Sequence, residues 1–517
     1  MRAIDGTTST AVLIAGAGPT GLTLACSLAR QGIPVRVVDQ ASEPHRHSRG
    51  KGLNPRSLEV LADFGLAERL LAVGRTHLPF RKYFDGAFVS ESDPVAGSGP
   101  TPEVPFDSPL TLPQWRVEGA LRELLGSYGV EVEHGRELTG FEQSFEQGFE
   151  QSEEGVRAVL ADGEQIEAAY LVGCDGARGA VRKGLGVAFV GSHDPSVSMV
   201  CGDVEVEGLD PKVWHQWFTA EGGVLLCPFE GSPLWQFQAP PERGPGGAEL
   251  PASEESFRRL FATYAGEQPG VRLGRVGWLS TWRCNVRLAE RLQVGRVLLA
   301  GDAAHVQPIA GGLGMNTGIQ EAFNLGWKLG YVLSGRAGPG LVDSYQEERL
   351  PVAAQAVDLS AELLGTVLAA VRTPGQGLEA GRATGLDGLG VHYRWSPLAR
   401  DALGAAVQAG DRAPDGVLIG PEGPVRLSAL LAGDDFTLLC FDAEAPELPA
   451  WARAVPVDHR SDPGGRLRTA YGLAGHGPAL VLVRPDNHLA LTAPGTEPEA
   501  VTGYLARLGR RLPDGGA

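Results

Sequence analysis

Two glycine-rich runs hold the residues whose types and spacing best suit chemistry. The first is Gly16-Ala17-Gly18-Pro19-Thr20-Gly21. Glycines at 16, 18 and 21 permit a tight turn, close approach of backbone N–H groups to a pyrophosphate, and close packing of the following helix on a sheet; that helix's N-terminus favours negative charge. Asp39 stands eighteen residues beyond Gly21 and ends the next apolar run, where it can accept hydrogen bonds from both hydroxyls of a ribose. A carboxylate there repels a 2′-phosphate, so the site favours the adenosine of FAD or NAD over that of NADP. A glycine triplet alone is also compatible with a purely structural strand-to-helix turn.

The second run begins at Gly301-Asp302-Ala303-Ala304-His305 and continues through Pro308, Ile309, Gly311, Gly312, Leu313 and Gly314 to Met315-Asn316. A glycine-rich entry into a helix offers a second row of backbone donors, suited to the polar edges of a flavin ring and its ribityl chain. Asp302 can hold ribityl hydroxyls, or it can be an ordinary helix N-cap. His305, flanked by apolar residues, reads as hydrogen-bonded structure and not as a base. Together the two runs read as a bound flavin. There is no second glycine fingerprint for a nicotinamide nucleotide, so that donor is expected to dock transiently.

These residues need elements to position them. An apolar run at 11–15, the glycines, a periodic stretch at 22–30 and a run at 35–39 read as strand, turn, helix, strand. Residues 48–64 read as a loop entering a helix, 90–105 as a surface excursion, and 114–128 as a helix. The threefold Phe-Glu-Gln stutter at 141–151 reads as an elongated hairpin tip before a strand at 156–160. A buried strand is expected at 168–174, a short helix at 180–185, and a mixed sheet over 197–280. Trp214, Trp217, Phe218, Phe229, Trp235 and Phe237 there are each expected in the core, though collectively they could wall an aromatic pocket. A strand at 297–300, a buried helix at 318–332, and one or two amphipathic helices over 341–371 follow. The glycine-rich stretch 372–390 reads as a linker, and strands at 418–427, 436–441, 479–483 and 488–491 read as a separate small α/β unit.

The chain has 517 residues, too many for one compact core, and 45 Lys plus Arg against 62 Asp plus Glu give a formal charge of −17. That charge argues against nucleic acid and anionic membrane as partners. With no apolar run near the roughly 18–20 residues of a membrane span and no signal-like start, a cytoplasmic location is expected. Six scattered cysteines with no Cys-x-x-Cys and no metal spacing read as buried thiols, and no metal site is expected.

The glycine fingerprint, the run Gly173-Cys174-Asp175-Gly176-Ala177-Arg178-Gly179-Ala180-Val181-Arg182, and Gly301-Asp302-Ala303-Ala304-His305 together resemble the single-component FAD-dependent aromatic hydroxylases related to p-hydroxybenzoate hydroxylase. Within them the chain looks most like the bacterial aromatic polyketide hydroxylases, with supporting matches at residues 48–57, at Gln114 with Glu118, and at 343–349. The resemblance implies an α/β fold. Residues 1–183 and 283–390 would form a Rossmann-like, discontinuous FAD-binding domain, 184–282 an inserted β-sheet substrate domain, and 391–517 a thioredoxin-like domain without redox cysteines. It also implies an FAD- and NAD(P)H-dependent monooxygenase that hydroxylates a phenolic or polyketide-type ring through a flavin 4a-hydroperoxide in antibiotic metabolism. Baeyer–Villiger oxidation, epoxidation or antibiotic inactivation are the alternatives. FAD would be tightly bound and non-covalent, NADPH or NADH transient, and the enzyme a monomer or homodimer acting on a small aromatic substrate and molecular oxygen. The implied cofactor set is Gly16, Gly18, Pro19, Thr20, Gly21, Asp39, Gln40, Arg49, Gln114, Asp175, Gly176, Asp302, Gly312, Leu313, Gly314, Met315 and Asn316. Pro308, Ile309 and Gly311 would lie beside the flavin ring and substrate. Relatives usually carry proline where this chain has Ile309, so the rigid turn at that point is in question.

Overall fold

The computed structural model describes residues 7–143, 155–381 and 385–509. Its first sheet runs in the order Gln293–Val294, Val297–Leu299, Gln165–Gly173, Thr7–Ala15, Val35–Asp39, Val132–His134, with Val156–Leu160 and Leu138–Gln143 added at one side. The middle strands pair in parallel, with Ala15 opposite both Gly173 and Val38, and Gly173 opposite Leu299. A parallel sheet is covered on both faces, which is why Val12, Leu13 and Ile14 form an unbroken apolar run with no exposure. The register has a direct consequence: the three motifs that follow residues 15, 173 and 300 emerge side by side at the carboxyl edge, where open α/β sheets bind ligands. Gly16 takes φ +104° there, and a Cβ on it would run into the Cys174 carbonyl, so only glycine fits.

The second sheet has the order His305–Val306, Arg272–Ala289, Phe189–Glu207, Leu234–Ala239, Gly222–Pro228, Trp214–Thr219, Phe80–Phe84, Ala87–Ser92. Phe80–Phe84 pairs in parallel with Trp214–Thr219. Part of segment 1–183, expected to serve the cofactor domain throughout, therefore completes this sheet, and the surface excursion expected from residue 90 begins as its edge strand. The helix Glu254–Ala265, with a Ser253–Ser256 capping box, covers the face on which Trp217, Trp235 and Phe237 are buried. The third sheet has the order Arg400–Asp401, Leu489–Pro494, Ala479–Val483, Phe436–Phe441, Ala452–Val457.

The described parts of the stretch 372–390, residues 372–381 and 385–390, are no loose linker. Lys82 Nζ donates to Gly375 O at 2.9 Å and pairs with Glu379, Leu378 N donates to Gln216 Oε1 at 3.2 Å, and Asn54 Nδ2 donates to Leu386 O at 3.1 Å. The hairpin of Leu138–Gln143 with Val156–Leu160 is present, while the tip carrying most of the stutter lies outside the described residues. The helix Gly340–Ala370 is, by length and composition, apolar enough to cross a membrane, contrary to the sequence expectation. Its first half is core, and Leu364, Val367 and Leu368 from its second half line the main cleft.

The helix Leu313–Leu333 is buried along most of its length and carries polar side chains inward. Glu321 accepts from Gly301 N at 2.8 Å and pairs with His305 Nε2 at 2.9 Å, both side chains wholly buried. Burial opposes the charged form of each, but the partner's charge outweighs it: His305 sits above its usual range and Glu321 below. Farther along, Asn324 Nδ2 and Lys328 Nζ donate to Glu348 Oε2 at 2.8 and 2.7 Å. Arg484 reaches the same carboxylate with both terminal nitrogens at 2.7 and 2.9 Å, and Ser396 Oγ donates to it at 2.6 Å. Asp486 balances the second cation through Arg484 Nε at 2.9 Å. Burial pushes the Lys328 ammonium down to about 8 despite Glu348, so this node is a finely balanced buried charge cluster.

Glu348→Ala is expected to cost about 3–5 kcal/mol of stability, because Lys328 and Arg484 would lose a buried counter-charge; chemical denaturation measures it, and a loss below about 1 kcal/mol would contradict the node's role. For the His305–Glu321 pair, His305 lies above its unfolded value, so its contribution is full in mild acid and disappears as pH rises through the folded value. His305→Gln should therefore flatten the alkaline limb of the melting-temperature profile, and an unchanged limb would show that the pair contributes nothing there.

Candidate active site

The carboxyl edge of the first sheet and the near face of the second enclose a cleft of about 2210 Å3. A cavity for one drug-sized ligand is roughly 300–1,000 Å3, so this one has room for a dinucleotide and a second molecule. Its floor is built from strand ends. Gly18 begins the helix Pro19–Arg30 with no side chain capping it, and the space where a Cβ would stand is open, so the helix's first N–H groups face the cleft unpartnered by side chains. Asp39 accepts from Ala17 N at 2.7 Å and from Ala41 N at 2.8 Å, which fixes its carboxylate at the cleft wall while each oxygen keeps a lone pair for a ligand.

Asp175 also lies in this wall, where one oxygen accepts from Val181 N at 3.0 Å at the start of the helix Ala180–Gly184 and the other is buried without a partner. Burial raises its carboxyl above the usual range. Arg182 is not a solvated residue: its guanidinium lies 4.2 Å from the Phe189 ring centroid and donates to Ala177 O at 3.3 Å.

The run from Gly301 forms the end wall. Asp302 is exposed to the cleft yet crowded by protein on its other sides, and this desolvation raises its carboxyl, with His305 and Arg49 pulling the other way. His305 is wholly buried on Glu321, so it is a structural residue, as its apolar flanks suggested. Ile309 has φ −70° and ψ −14°, within the range a proline ring imposes. The isoleucine thus adopts the φ that a proline would set at this turn. Gly311 follows at φ +78°, and a Cβ there would press on Leu386 Cδ2 at 2.8 Å. Gly312 at φ +63° then opens the helix Leu313–Leu333, again without a side-chain cap.

Of the expected residues, Gly16, Gly18, Pro19, Thr20, Asp39, Gln40, Arg49, Gln114, Asp175, Gly176, Asp302, Pro308, Ile309, Gly311, Gly312, Leu313, Gly314 and Met315 all border this one cleft. Gly21 and Asn316 do not. A Cβ on Gly21 would strike the Gly16 carbonyl, so Gly21 shapes the turn from behind. Asn316 is buried and ties three backbone segments, accepting from Asn54 N at 2.8 Å and donating to Gly52 O at 3.1 Å and Gly312 O at 2.7 Å. Gln114 accepts from Gly50 N at 3.0 Å and donates to Glu118 Oε1 at 2.8 Å, which holds the 48–52 loop over the cleft.

Of the aromatics expected in the core or in a pocket wall, Trp217, Trp235 and Phe237 are core while Trp214 and Phe218 face the cleft; Phe80, Trp278 and Trp282, which the sequence reading does not single out, complete that wall. The strand period of two over Trp278, Ser280 and Trp282 was the available signal. Lys51, His45 and His47 also border it, with His47 stacked on Trp278 at 4.7 Å between centroids. Among the described residues no cluster of His, Cys, Asp and Glu could hold a metal ion.

Ile309→Pro is expected to leave the turn intact, because the backbone is already in proline's range and Ile309 N donates to no backbone carbonyl among the described residues. It should stabilise the protein by about 0.4–1 kcal/mol through the unfolded chain. Thermal unfolding measures this, and a lowered melting temperature would show that the turn depends on the isoleucine.

Residues 9–360 match the family described as FAD binding domain, and residues 407–512 match the one described as aromatic-ring hydroxylase, C-terminal. A flavin-dependent monooxygenase of Mycobacteroides abscessus is 38% identical over 512 residues, covering 96% of this chain and 99% of that protein. The 12-dehydrotetracycline 5-monooxygenase/anhydrotetracycline 6-monooxygenase of Streptomyces rimosus subsp. rimosus is 33% identical over 533 residues, covering 96% and 97%. Among solved structures, the ternary complex of aklavinone-11 hydroxylase with FAD and aklavinone superposes with a TM-score of 0.78 at 27% identity, covering 99% and 100%. The uncapped helix starts, the fixed acids and the size of the cleft suit the cofactor these relatives share, and the chain belongs to the FAD-dependent aromatic-ring hydroxylases, a family of flavin-dependent monooxygenases.

Proposed function

We propose that the cleft holds FAD along its strand-end floor and an aromatic polyketide-type substrate between the 301–316 run and the second sheet, and that the protein hydroxylates that ring at the expense of NADPH or NADH. The observation that carries this reading is the single cleft with two unlike walls: polar backbone ends on one side, indoles and phenyl rings on the other.

Bound FAD supplies the activation of oxygen. The chain's own residues do the rest. The uncapped starts at Gly18 and Gly312 offer N–H groups to the pyrophosphate and to the polar edge of the ring system, Asp39 holds the adenosine ribose, and Asp302 holds ribityl hydroxyls. Arg49 covers the cofactor from the 48–52 loop, Gln114 holds that loop in place, and Asp175-Gly176 is the place where the nicotinamide donor comes against it. The aromatic wall and the apolar flank of helix Gly340–Ala370 orient the substrate ring and keep water from the reacting centre.

In this reading 1–183 and 283–390 bind FAD, with Phe80–Ser92 contributed to the substrate sheet, 184–282 binds substrate, and 391–517 is a thioredoxin-like unit. The last is supported by its strand arrangement, with Phe436–Phe441 parallel to Ala452–Val457 and antiparallel to Ala479–Val483, which in turn pairs antiparallel with Leu489–Pro494. Its lone Cys440 is buried, so it has no dithiol chemistry.

Two measurements test the reading. Incubation of the holoenzyme with NADPH, labelled oxygen and anhydrotetracycline or aklavinone should add one labelled atom to the aromatic product by mass spectrometry; oxygen consumed only as peroxide across a panel of such compounds would overturn it. Asp302→Ala should lower FAD affinity by about tenfold or more, since a charged acceptor of ligand hydroxyls is lost. Cofactor titration followed by flavin fluorescence reads this, and unchanged affinity would remove Asp302 from the site.

A further inference from the structure

Lys51 lies in the cleft wall without a counter-ion among the described residues. Its neighbours place its backbone at the cofactor end of the cleft: the Cβ position of Gly50 is 3.6 Å from Met315 Sδ, and Gly52 O accepts from Asn316 Nδ2 at 3.1 Å. Its side chain turns the other way, into the second sheet, where Nζ donates to Gln236 Oε1 at 2.5 Å and Gln238 Oε1 at 2.7 Å and stands 4.1 Å from the Trp214 ring centroid. Among the described residues Lys51 forms no ion pair. Asp203, the nearest acid in its field, is occupied by Ser48, whose N donates to it at 2.8 Å and whose hydroxyl donates to its other oxygen.

An ammonium has three donors, and two neutral amide oxygens and an indole face satisfy two of them and part of the charge. Removing such a cation from water is costly unless an anion accompanies it. The groups facing Lys51 do not provide one readily: Cys201 and Cys227 are pushed up to about 11 by burial and stay neutral, and burial raises Asp203 as well. Burial also lowers Lys51 itself, with those three groups pulling weakly upward.

We propose that Lys51 is a substrate-positioning residue that binds the anionic oxygen of an ionised phenol or enol on a polycyclic aromatic substrate, with Trp214 packing beside the ring. This rests on the function proposed above and specifies what the substrate must carry. The phenol's proton leaves to solvent through the cleft, Lys51 keeps its own, and no covalent bond forms to the lysine. The ionised ring is richer in electrons at the carbons ortho and para to the oxygen, which is the form an electrophilic oxygen attacks. The stabilisation is reciprocal: the bound anion also restores the lysine's hold on its proton.

The test uses the FAD-loaded protein and 1-hydroxyanthraquinone, whose visible colour changes on ionisation, followed by difference spectra against dye-free protein across pH. With the wild type the midpoint of the bound dye should fall by about one to three pH units relative to free dye, as beside an opposite charge. Lys51→Arg should keep most of that shift, while Lys51→Met and Lys51→Gln should abolish it without loss of FAD. Lys51→Gln retains a donor for Gln236 and Gln238, so a merely structural tether predicts that it behaves as wild type. An unshifted dye or no dye binding in the wild type, or an unchanged shift in the neutral variants, overturns the assignment. Labelled oxygen reaching an aromatic product in the wild type alongside an unchanged shift in Lys51→Gln would sink Lys51 alone; a wild type that holds no FAD would sink the reading beneath it.

Discussion

A helix buried on almost every side must find partners inside the protein for each polar group it carries, and that constraint on Leu313–Leu333 organises the molecule. Asn316 at its start holds the 52–54 segment, Glu321 holds Gly301 and His305, and Asn324 with Lys328 meets Glu348, whose carboxylate also pairs with Arg484. Close packing extends the same logic to the first helix: Cβ atoms at Gly318 or Gly326 would collide with Thr20 or Ser27 of Pro19–Arg30. One helix thereby fixes the cofactor turn, the loop that covers the cleft, and the docking of the C-terminal unit.

The energetic weight of these ties differs. Exposed pairs such as Arg272 with Glu207 contribute little, because water screens them and their side chains are free to leave. The Glu348 cluster lies where no water compensates a missing partner, so it makes the position of Arg484 and Asp486 close to obligatory. The C-terminal unit also buries Phe436 against Trp327 and Tyr331 of the same helix. It thereby packs against the far half of that buried helix. The cleft itself lies at that helix's entry, where Gly312, Leu313, Gly314 and Met315 border it, formed by groups held from behind and left open in front.

What was legible in the sequence was what depends on local pattern. Apolar runs gave the parallel strands at 12–15, 35–38 and 168–173, and glycine spacing gave the turns that the register then brings to one edge. What was illegible depends on distant pairing. Phe80–Phe84 is too polar at Arg81 and Lys82 to announce itself as a strand in the second sheet; it is there because Trp214–Thr219 offers an edge and Glu379 neutralises Lys82. The glycines of 372–390 suggest a linker, yet Gly377 and Gly388 let the chain there press against Gln216 and against Asn54 and Arg56. Among aromatics, composition could not separate Trp217 in the core from Trp278 in the cleft, since only the face of each strand decides.

Ile309 shows where resemblance and physics part. Proline at a turn acts on the unfolded chain by restricting φ, so its absence raises the entropy lost on folding without demanding a different folded backbone. Here the conformation is imposed from outside: Gly312 N donates to Ile309 O at 3.1 Å, and Gly311, two residues on from Ile309, is wedged under Leu386 and Leu363. The surrounding contacts over-determine the turn, and the isoleucine side chain is left 43% exposed at the cleft. The position where the family resemblance leads one to expect proline is therefore free in this chain to carry apolar surface toward whatever occupies the space between Asp302 and the indoles.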